Sequence, residues 1–158
     1  MKDCITVRAA KKEDVGRLCL LERSCFCDPW SEAAFTFGAE EYFLAYEISA
    51  ETSSRCEHPT EGEPCGYASV LHTPDGDELL RVAVLPQLRR RGIGGALLDA
   101  VLERSRKGGA GVMRLEVRAS NAPARELYLS RGFCEIGVRR AYYRAPVEDA
   151  CLMELRLG

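Results

Sequence analysis

The sequence predicts a single α/β domain over residues 1–158, with helices packed on a mixed sheet. Two features of the sequence predict it. Segments rich in β-branched and aromatic residues alternate with stretches of helical periodicity, in the order β-α-α-β-β-β-α-β-α-β-β. A chain of 158 residues with 46% hydrophobic and 29% charged residues is long enough to bury one core and is ordinary for a globular protein.

The N-terminal segment predicts two strands and two helices. Residues 4–8, CITVR, and residues 42–49, YFLAYEIS, are β-prone and indicate strands. Residues 13–27 show helical periodicity, which predicts the first helix. The apolar positions that recur there are Val15, Leu18, Cys19 and Phe26. An Asp-Pro-Trp-Ser break follows, and its serine suits the N-cap of a short helix over residues 31–37.

The central segment predicts a hairpin and then a long helix. Residues 50–66 are polar and rich in turn formers, which predicts a long loop. Strands are expected over residues 65–72 and 78–85, the second ended by Pro86. Residues 92–106 predict an amphipathic helix. Its apolar stripe consists of Ile93, Leu97, Leu98, Val101 and Leu102.

The C-terminal segment continues the alternation of strands and helices. Residues 112–118, VMRLEVR, alternate apolar and polar side chains as a strand does. Residues 121–131 predict a second short helix, which Gly132 ends. Residues 133–143 and 150–157 are β-prone and predict the last two strands.

Composition argues against several classes of protein. The net charge is −2, whereas a nucleic-acid-binding domain is expected to be clearly basic, so no direct nucleic-acid binding is predicted. No apolar run is long enough to span a bilayer, and the N-terminus lacks the apolar core of a signal peptide. The expectation is a cytoplasmic protein without a membrane partner.

The eight cysteines are scattered, and we interpret them as small reduced thiols, buried or half-buried. The alternative is a zinc site, because Cys56, His58 and Cys65 share one polar segment. The sequence contains no CxxC pair and no histidine at a ligand-like spacing, so no metal is predicted.

Residues 89–98, RRRGIGGALL, combine the densest positive charge of the chain with its most permissive backbone. They follow a predicted strand and open a predicted helix, whose first N–H groups are free to bind an anion. Gly92 and Gly94 allow close approach of a phosphate, and the arginines add charge. On these residues alone, an anion site and a solvated basic turn describe the stretch equally well.

Two residues have side chains suited to proton transfer. Alternation in VMRLEVR places Glu116 on the polar face of its strand, either as a solvated carboxylate paired with its arginines or as a general base. Tyr128 shares a helix face with Ala124 and Leu127, which indicates a buried ring. Its hydroxyl could still reach a cleft and donate a proton to a thiolate, whose parent thiol has a pKa of about 8.5.

Together these motifs resemble the GNAT superfamily of acetyl-coenzyme A (acetyl-CoA)-dependent N-acetyltransferases. The superfamily motif Q/R-x-x-G-x-G/A is similar to residues 89–94, and N-x-x-A-x-x-L-Y-x-x-x-G-F is similar to residues 121–133. The resemblance implies a mostly antiparallel central sheet flanked by helices, acetyl-CoA as co-substrate and no metal. LEVRASN, RRAYY and DPWSEAAF are further similar to ribosomal-protein-alanine N-acetyltransferases within the superfamily. This implies that the acceptor is the N-terminal amine, expected on alanine, of a small-subunit ribosomal protein.

The resemblance also implies a role for each matching position. The backbone of Val82, Ala83 and Val84 would hold the acetyl and pantetheine groups. The pyrophosphate would lie on Arg90, Arg91, Gly92, Ile93, Gly94 and Gly95. Asn121 would hydrogen-bond the cofactor, Glu116 would accept the amine proton, and Tyr128 would protonate the departing thiolate. The walls of the acceptor cleft would include Trp30, Tyr142 and Tyr143.

The sequence departs from the family pattern at two places. The loop over residues 50–66 is longer than usual, and Arg144-Ala145 stands where a proline is expected after the tyrosine pair. Two other functions stay open: an acetyltransferase for a small amine or a lysine side chain, and a non-catalytic acyl-CoA-binding regulator. Direct transfer in a ternary complex needs no nucleophilic residue, so no cysteine is given a catalytic role.

Overall fold

The computed structural model describes residues 4–48 and 63–158. The strands are β1 (Cys4–Ala9), β2 (Glu40–Ile48), β3 (Gly66–Thr73), β4 (Gly76–Val84), β5 (Val112–Arg118), β6 (Cys134–Arg144) and β7 (Val147–Arg156). The helices are α1 (Val15–Cys25), α2 (Ile93–Lys107) and α3 (Ala122–Ser130). None of the helices in these ranges is long and apolar enough to cross a membrane.

Within the described ranges the strands form one sheet in the order β1-β2-β3-β4-β5-β7-β6. Every neighbouring pair is antiparallel except β4 and β5, which run parallel. The predicted class, a mixed and mostly antiparallel sheet flanked by helices, is confirmed. The parallel pair is short: it extends only from Asp77 opposite Met113 to Leu79 opposite Leu115.

Helices cover both faces of the sheet, which explains the unbroken apolar run over residues 42–46 of β2. Tyr42, Leu44 and Tyr46 pack in the core beneath α1, whereas Phe43 and Ala45 pack in the core beneath α2. Alternate residues of a strand point to opposite faces, so a strand covered on both sides buries every position. We call these two sides the α1 face and the α2 face; α3 also packs on the α2 face.

The helix predicted over residues 31–37 is wrong, because the chain forms only a single 3₁₀ turn there, Glu32–Ala34. Ser31 makes no capping hydrogen bond with its side chain. The N–H of Thr36 donates to the hydroxyl of Tyr42 at 3.1 Å instead of continuing a helical ladder. Phe35 turns into the core beside that tyrosine. Tertiary contacts therefore take the groups that a second helical turn would need.

The loop expected over residues 50–66 lies largely outside the described residues, together with Cys56 and His58. The seven described cysteines are all unpaired. The expectation of buried or half-buried thiols is wrong for Cys4, Cys27 and Cys134, which are exposed. In the described part of the chain, no group of three potential ligands could hold a metal ion.

Candidate active site

The turn between β4 and α2 leaves the start of α2 without a side-chain cap. Arg90 and Gly92 both have left-handed backbone conformations, with φ of 66° and 87°, and Gly92 is the N-cap residue. Within residues 4–48 and 63–158, no side chain accepts a hydrogen bond from the first turn of the helix. The N–H groups of Ile93, Gly94 and Gly95 are therefore available to an anion at the positive end of the helix dipole.

The three arginines of this turn have different surroundings. Arg89 Nε donates to the carbonyl oxygen of Val84 at 3.0 Å, which closes the turn. Arg91 Nη1 pairs with Glu47 Oε1 on β2 at 2.8 Å. Arg90 is exposed, and it forms no ion pair with any residue in the described ranges. The backbone and the side chain of Arg90 thus form the part of the turn most open to a phosphate.

Beside this turn, the sheet opens between β4 and β5. Their ladder stops at Leu79 and Leu115, although both strands continue to Val84 and Arg118. A register shift at Leu80 accompanies the opening. Such bulges bend a strand and interrupt its pairing. The result is a gap between the C-terminal ends of two neighbouring strands.

The edge of β4 at this gap carries backbone N–H groups that pair with no strand in the described part of the chain. The N–H of Leu85 donates to the carbonyl oxygen of Cys65 at 2.9 Å, so the amide of Leu85 points toward β3. Backbone amides alternate in direction along a strand. The backbone amide of Ala83 therefore also points toward β3, whereas the backbone amides of Val82 and Val84 point into the gap. They can bind an extended ligand there as a further strand would.

Glycine keeps the α2 face of the gap open. A Cβ on Gly94 would contact Leu127 at 3.6 Å and Val84 at 3.8 Å, so the bare backbone leaves room between α2, α3 and β4. Gly95 is packed more tightly, because a Cβ there would lie 2.6 Å from Arg131 Nη2.

Glu116 lies half-buried on the α1 face of β5, just past the last β4–β5 pair. Its charge partner is Arg139 on β6, with Nε 3.3 Å from Oε1. The two arginines that flank Glu116 in sequence turn elsewhere: Arg114 pairs with Glu154, and Arg118 donates to backbone carbonyls of the β6–β7 turn. The expected pairing with neighbouring arginines is wrong, because those side chains find closer partners.

Glu116 contributes to the raised pKa of two tyrosines on β6, Tyr142 and Tyr143. The pairing of β6 shifts between Arg139 and Tyr143, where Ala141 has a φ of 50°. Hydrogen bonding and the charge of Glu116 raise the pKa of Tyr142, while burial and then that charge raise the pKa of Tyr143. The two rings meet edge to face at 5.1 Å. The phenol of Tyr142 thus bonds Glu116, and the ring of Tyr143 packs beside that of Tyr142.

Tyr128 lies on the other side of the sheet, in the core of the α2 face. Its ring packs against Phe133 at 5.8 Å between centroids. Burial raises the pKa of Tyr128 to about 12, with a smaller contribution from Tyr143. The charge of Glu116 acts on Tyr143, and Tyr143 acts on Tyr128, so the three groups are within electrostatic range along this chain, with Glu116 and Tyr128 on opposite faces of the sheet.

Asn121 is the N-cap of α3, where Oδ1 accepts from the N–H of Ala124 at 3.3 Å. This capping role uses the oxygen and leaves the Nδ2 amide as a donor. On the α1 face, Trp30 stacks on Arg81 of β4, and Glu22 of α1 is buried beside them. Sequence reasoning missed Glu22 and Arg81, although a carboxylate in register with Leu18 on the apolar face of α1 was a signal.

The model of the Acetyltransferase (GNAT) family matches residues 17–133. The ribosomal protein bS18-alanine N-acetyltransferase of Escherichia coli is 32% identical over 155 residues, which covers 97% of this chain and 98% of that protein. The N-alpha-acetyltransferase RimI of Mycobacterium tuberculosis is 34% identical over 160 residues, with 98% and 94% coverage.

The chain belongs to the GNAT acetyltransferase family. The crystal structure of the Escherichia coli ribosomal-protein-alanine N-acetyltransferase agrees, with a TM-score of 0.83, 30% identity and coverage of 98% of this chain and 95% of that one. The protein is thus an acetyltransferase, and acetyl-CoA is the donor that GNAT acetyltransferases use. The predicted resemblance to the family and to its ribosomal-protein-alanine members is confirmed.

Proposed function

We propose that this GNAT acetyltransferase transfers an acetyl group from acetyl-CoA to the N-terminal α-amine, on alanine, of a small-subunit ribosomal protein. Of the relatives that match nearly the whole chain, one is named a ribosomal protein bS18-alanine N-acetyltransferase and another an N-alpha-acetyltransferase. The observation that supports a catalytic role is that Glu116 lies on the α1 face just past the last β4–β5 pair, while the phenol of Tyr128 belongs to the α2 face of the same sheet. Donor and acceptor can then enter from different sides and meet between them.

The donor would enter from the α2 face. Its pyrophosphate would bind the turn of Arg90, Arg91, Gly92, Ile93, Gly94 and Gly95, and the Nδ2 amide of Asn121 would bond the cofactor. Its pantetheine arm and acetyl group would follow the free edge of β4 over Val82, Ala83 and Val84. The backbone donors at this edge point toward a thioester carbonyl in the gap and suit its polarisation as charge develops on the oxygen.

The acceptor would enter from the α1 face and place its amine at Glu116. An α-amine has a pKa of about 7.7–8.0, against about 10.4 for lysine, so a carboxylate can accept its proton directly or through water. The neutral amine attacks the thioester carbon, the C–N bond forms, and the C–S bond then breaks. No enzyme nucleophile is needed, so the cysteines keep no catalytic role.

Tyr128 would act as the general acid on the sulfur. Its pKa of about 12 keeps the phenol protonated at neutral pH, as a proton donor requires. The thiol that forms has a pKa of about 8.5, so full transfer from the phenol is uphill. The proton would accordingly be shared with the departing sulfur, which stabilises the charge as it develops.

A peptide assay tests this function. Peptides that begin with alanine and contain one internal lysine are incubated with acetyl-CoA, and mass spectrometry locates the acetyl group. We expect modification of the α-amine, and loss of the reaction when that amine is blocked. Acetylation confined to lysine, or to a small amine, would contradict the proposal. Binding of acetyl-CoA with no transfer to any amine would instead indicate a regulator.

The catalytic base has its own test. Glu116→Gln should lower kcat/KM by about 100-fold or more, because general base catalysis contributes roughly 10²–10⁴-fold. The Kd of acetyl-CoA should stay within about twofold, since the side chain is on the α1 face. The matched control is Glu154→Gln, which removes a carboxylate from another glutamate–arginine pair of the sheet. Equal activity of the two variants would leave Glu116 without a role.

A further inference from the structure

A buried carboxylate lies beneath the α1 face of β4. Glu22 is fully buried; it accepts from the N–H of Trp30 at 2.7 Å and from the hydroxyl of Tyr67. Arg81 Nε lies 3.1 Å from its Oε1. A buried charge needs both a counter-charge and hydrogen bonds, and Glu22 has both.

The guanidinium of Arg81 lies against two aromatic rings. Its carbon is 4.0 Å from the ring centroid of Phe26 and 4.3 Å from that of Trp30. A planar guanidinium can stack on a ring while its edge pairs with a carboxylate, which a lysine cannot do. Glu22 and Arg81 therefore fix the two rings on the sheet.

This cluster lies beside the reacting carboxylate. Leu79 pairs with Leu115, so Arg81 is two residues past the last pair on β4 and Glu116 is one residue past it on β5. Both side chains are on the α1 face. Phe26 and Trp30 stand on the β4 side of the gap, and Tyr142 stands beside Glu116 on the other side. The rings thus form one wall of the acceptor cleft.

We propose that Glu22 and Arg81 are positioning residues for the acceptor, which hold Phe26 and Trp30 as the β4-side wall of its cleft. The inference rests on the proposed function, in which an acceptor amine reacts at Glu116. The segment after α1 contains only one 3₁₀ turn before β2, so few backbone bonds hold these rings in place. Acetyl-CoA would bind at the opposite face, which separates the effect on the acceptor from any effect on the donor.

Trp30 is the only tryptophan of the chain, so its fluorescence reports on the wall directly. Arg81→Met should raise the acceptor KM about tenfold, leave the acetyl-CoA Kd within about twofold, and increase acrylamide quenching of Trp30, because the ring loses its stacked partner. Arg81→Lys should not restore the acceptor KM, since an ammonium cannot pair and stack at once. Restoration by lysine would show that charge alone matters and would overturn the inference.

A matched control separates positioning from stability. Arg8 is 27% exposed, pairs with Asp14, which is 6% exposed, and lies 5.4 Å from the ring of Tyr46. The corresponding values for Arg81 and Glu22 are 19% and 0%. Arg8 is on the edge strand β1. The Arg8→Met variant should be less stable than the wild type but should have the same acceptor KM. Equal KM changes in the two methionine variants would mean a merely structural role.

The double variant Glu22→Gln with Arg81→Met gives a second test. Removing both charges should recover part of the stability that each single change loses, because no charge is left buried alone. The acceptor KM of the double variant should stay high, because no guanidinium holds the rings of Phe26 and Trp30 in place. If the KM recovered together with the stability, Glu22 and Arg81 would not be positioning residues. If the wild-type protein acetylates only lysine, the proposed function is wrong. The role of Glu22 and Arg81 is then tested by comparing the KM of the same variants for a lysine-containing peptide.

Discussion

The different surroundings of Glu116 and Tyr128 suit the different proton roles proposed for them. The carboxylate is half-buried beside the cation of Arg139, whereas the phenol lies in an apolar core. Burial disfavours the charged form of a tyrosine, and so the pKa of Tyr128 is raised to about 12. A base that can hold a charge and an acid that keeps its proton are the pair that amine acetylation needs.

At the residue scale, Tyr128→Phe should lower kcat about 100-fold, the lower end of general acid catalysis. A raised pKa means that the phenol is protonated below its ordinary pKa of about 10 and loses its proton only as the pH rises through about 12. The ratio of wild-type to variant kcat should therefore stay constant from pH 7 to about pH 10.

The control for this experiment is Tyr46→Phe, which removes a buried hydroxyl that bonds Arg8 far from the gap. Its kcat should match the wild-type value. A wild-type advantage that disappears between pH 8 and pH 9 would mean that a group other than Tyr128 supplies the proton.

At the scale of elements, the β4–α2 turn depends on a left-handed residue. Gly92 has a φ of 87°, and a Cβ there would meet only Ile5 at 3.8 Å, which is ordinary contact. Gly92→Ala should cost about 1–2 kcal/mol of stability through backbone strain alone. It should also raise the Kd of acetyl-CoA, since the strained turn shifts the N–H groups at the start of α2. Calorimetric titration with acetyl-CoA and chemical unfolding measure the two effects.

The chain offers a matched control at the other end of the same helix. Gly109 has a φ of 86° and open space around its Cβ position. Gly109→Ala should lose similar stability and leave the acetyl-CoA Kd unchanged. If both variants bind acetyl-CoA like the wild type, the turn does not hold the donor.

At the scale of the whole molecule, the gap between β4 and β5 is a break in an otherwise continuous sheet. Acetyl-CoA bound along β4 should protect the amides of Val82 and Val84 from hydrogen exchange, because these two point into the gap. The amide of Ala83 points toward β3 and should be protected in both states. Hydrogen exchange measured by NMR, with and without acetyl-CoA, checks this. Unchanged rates at Val82 and Val84 would exclude β4 as the donor site.

Binding across the gap should also stabilise the whole domain. A ligand that binds only the folded state at 100 times its Kd adds about 2.7 kcal/mol to the free energy of unfolding. Coenzyme A without the acetyl group shares the pyrophosphate and pantetheine contacts, and so it should give most of this effect.

Periodicity and motifs predicted the layers and the order of the strands along the chain, and they located the glycine-rich turn before α2 that we propose as the anion site. These features are local: strand alternation, a helix stripe and glycines before a helix are set by neighbouring residues. The first or last residue of several elements differs from the predicted one by a few positions. Strand β7, for example, begins at Val147 and not at residue 150. The prediction of a helix over residues 31–37 is wrong because the backbone N–H of Thr36 donates to the hydroxyl of Tyr42.

The sequence by itself determined the fold class, the family and the candidate residues Glu116 and Tyr128, because the order of elements follows from local periodicity and each motif follows from spacing within a short segment. The tertiary structure alone decided that β4 and β5 separate after Leu79, that Arg139 is the partner of Glu116, and that Glu22 meets Arg81. These contacts join residues from different strands and helices. Bulges in β4 and β6 set which side chains face one another, and no local pattern encodes that register.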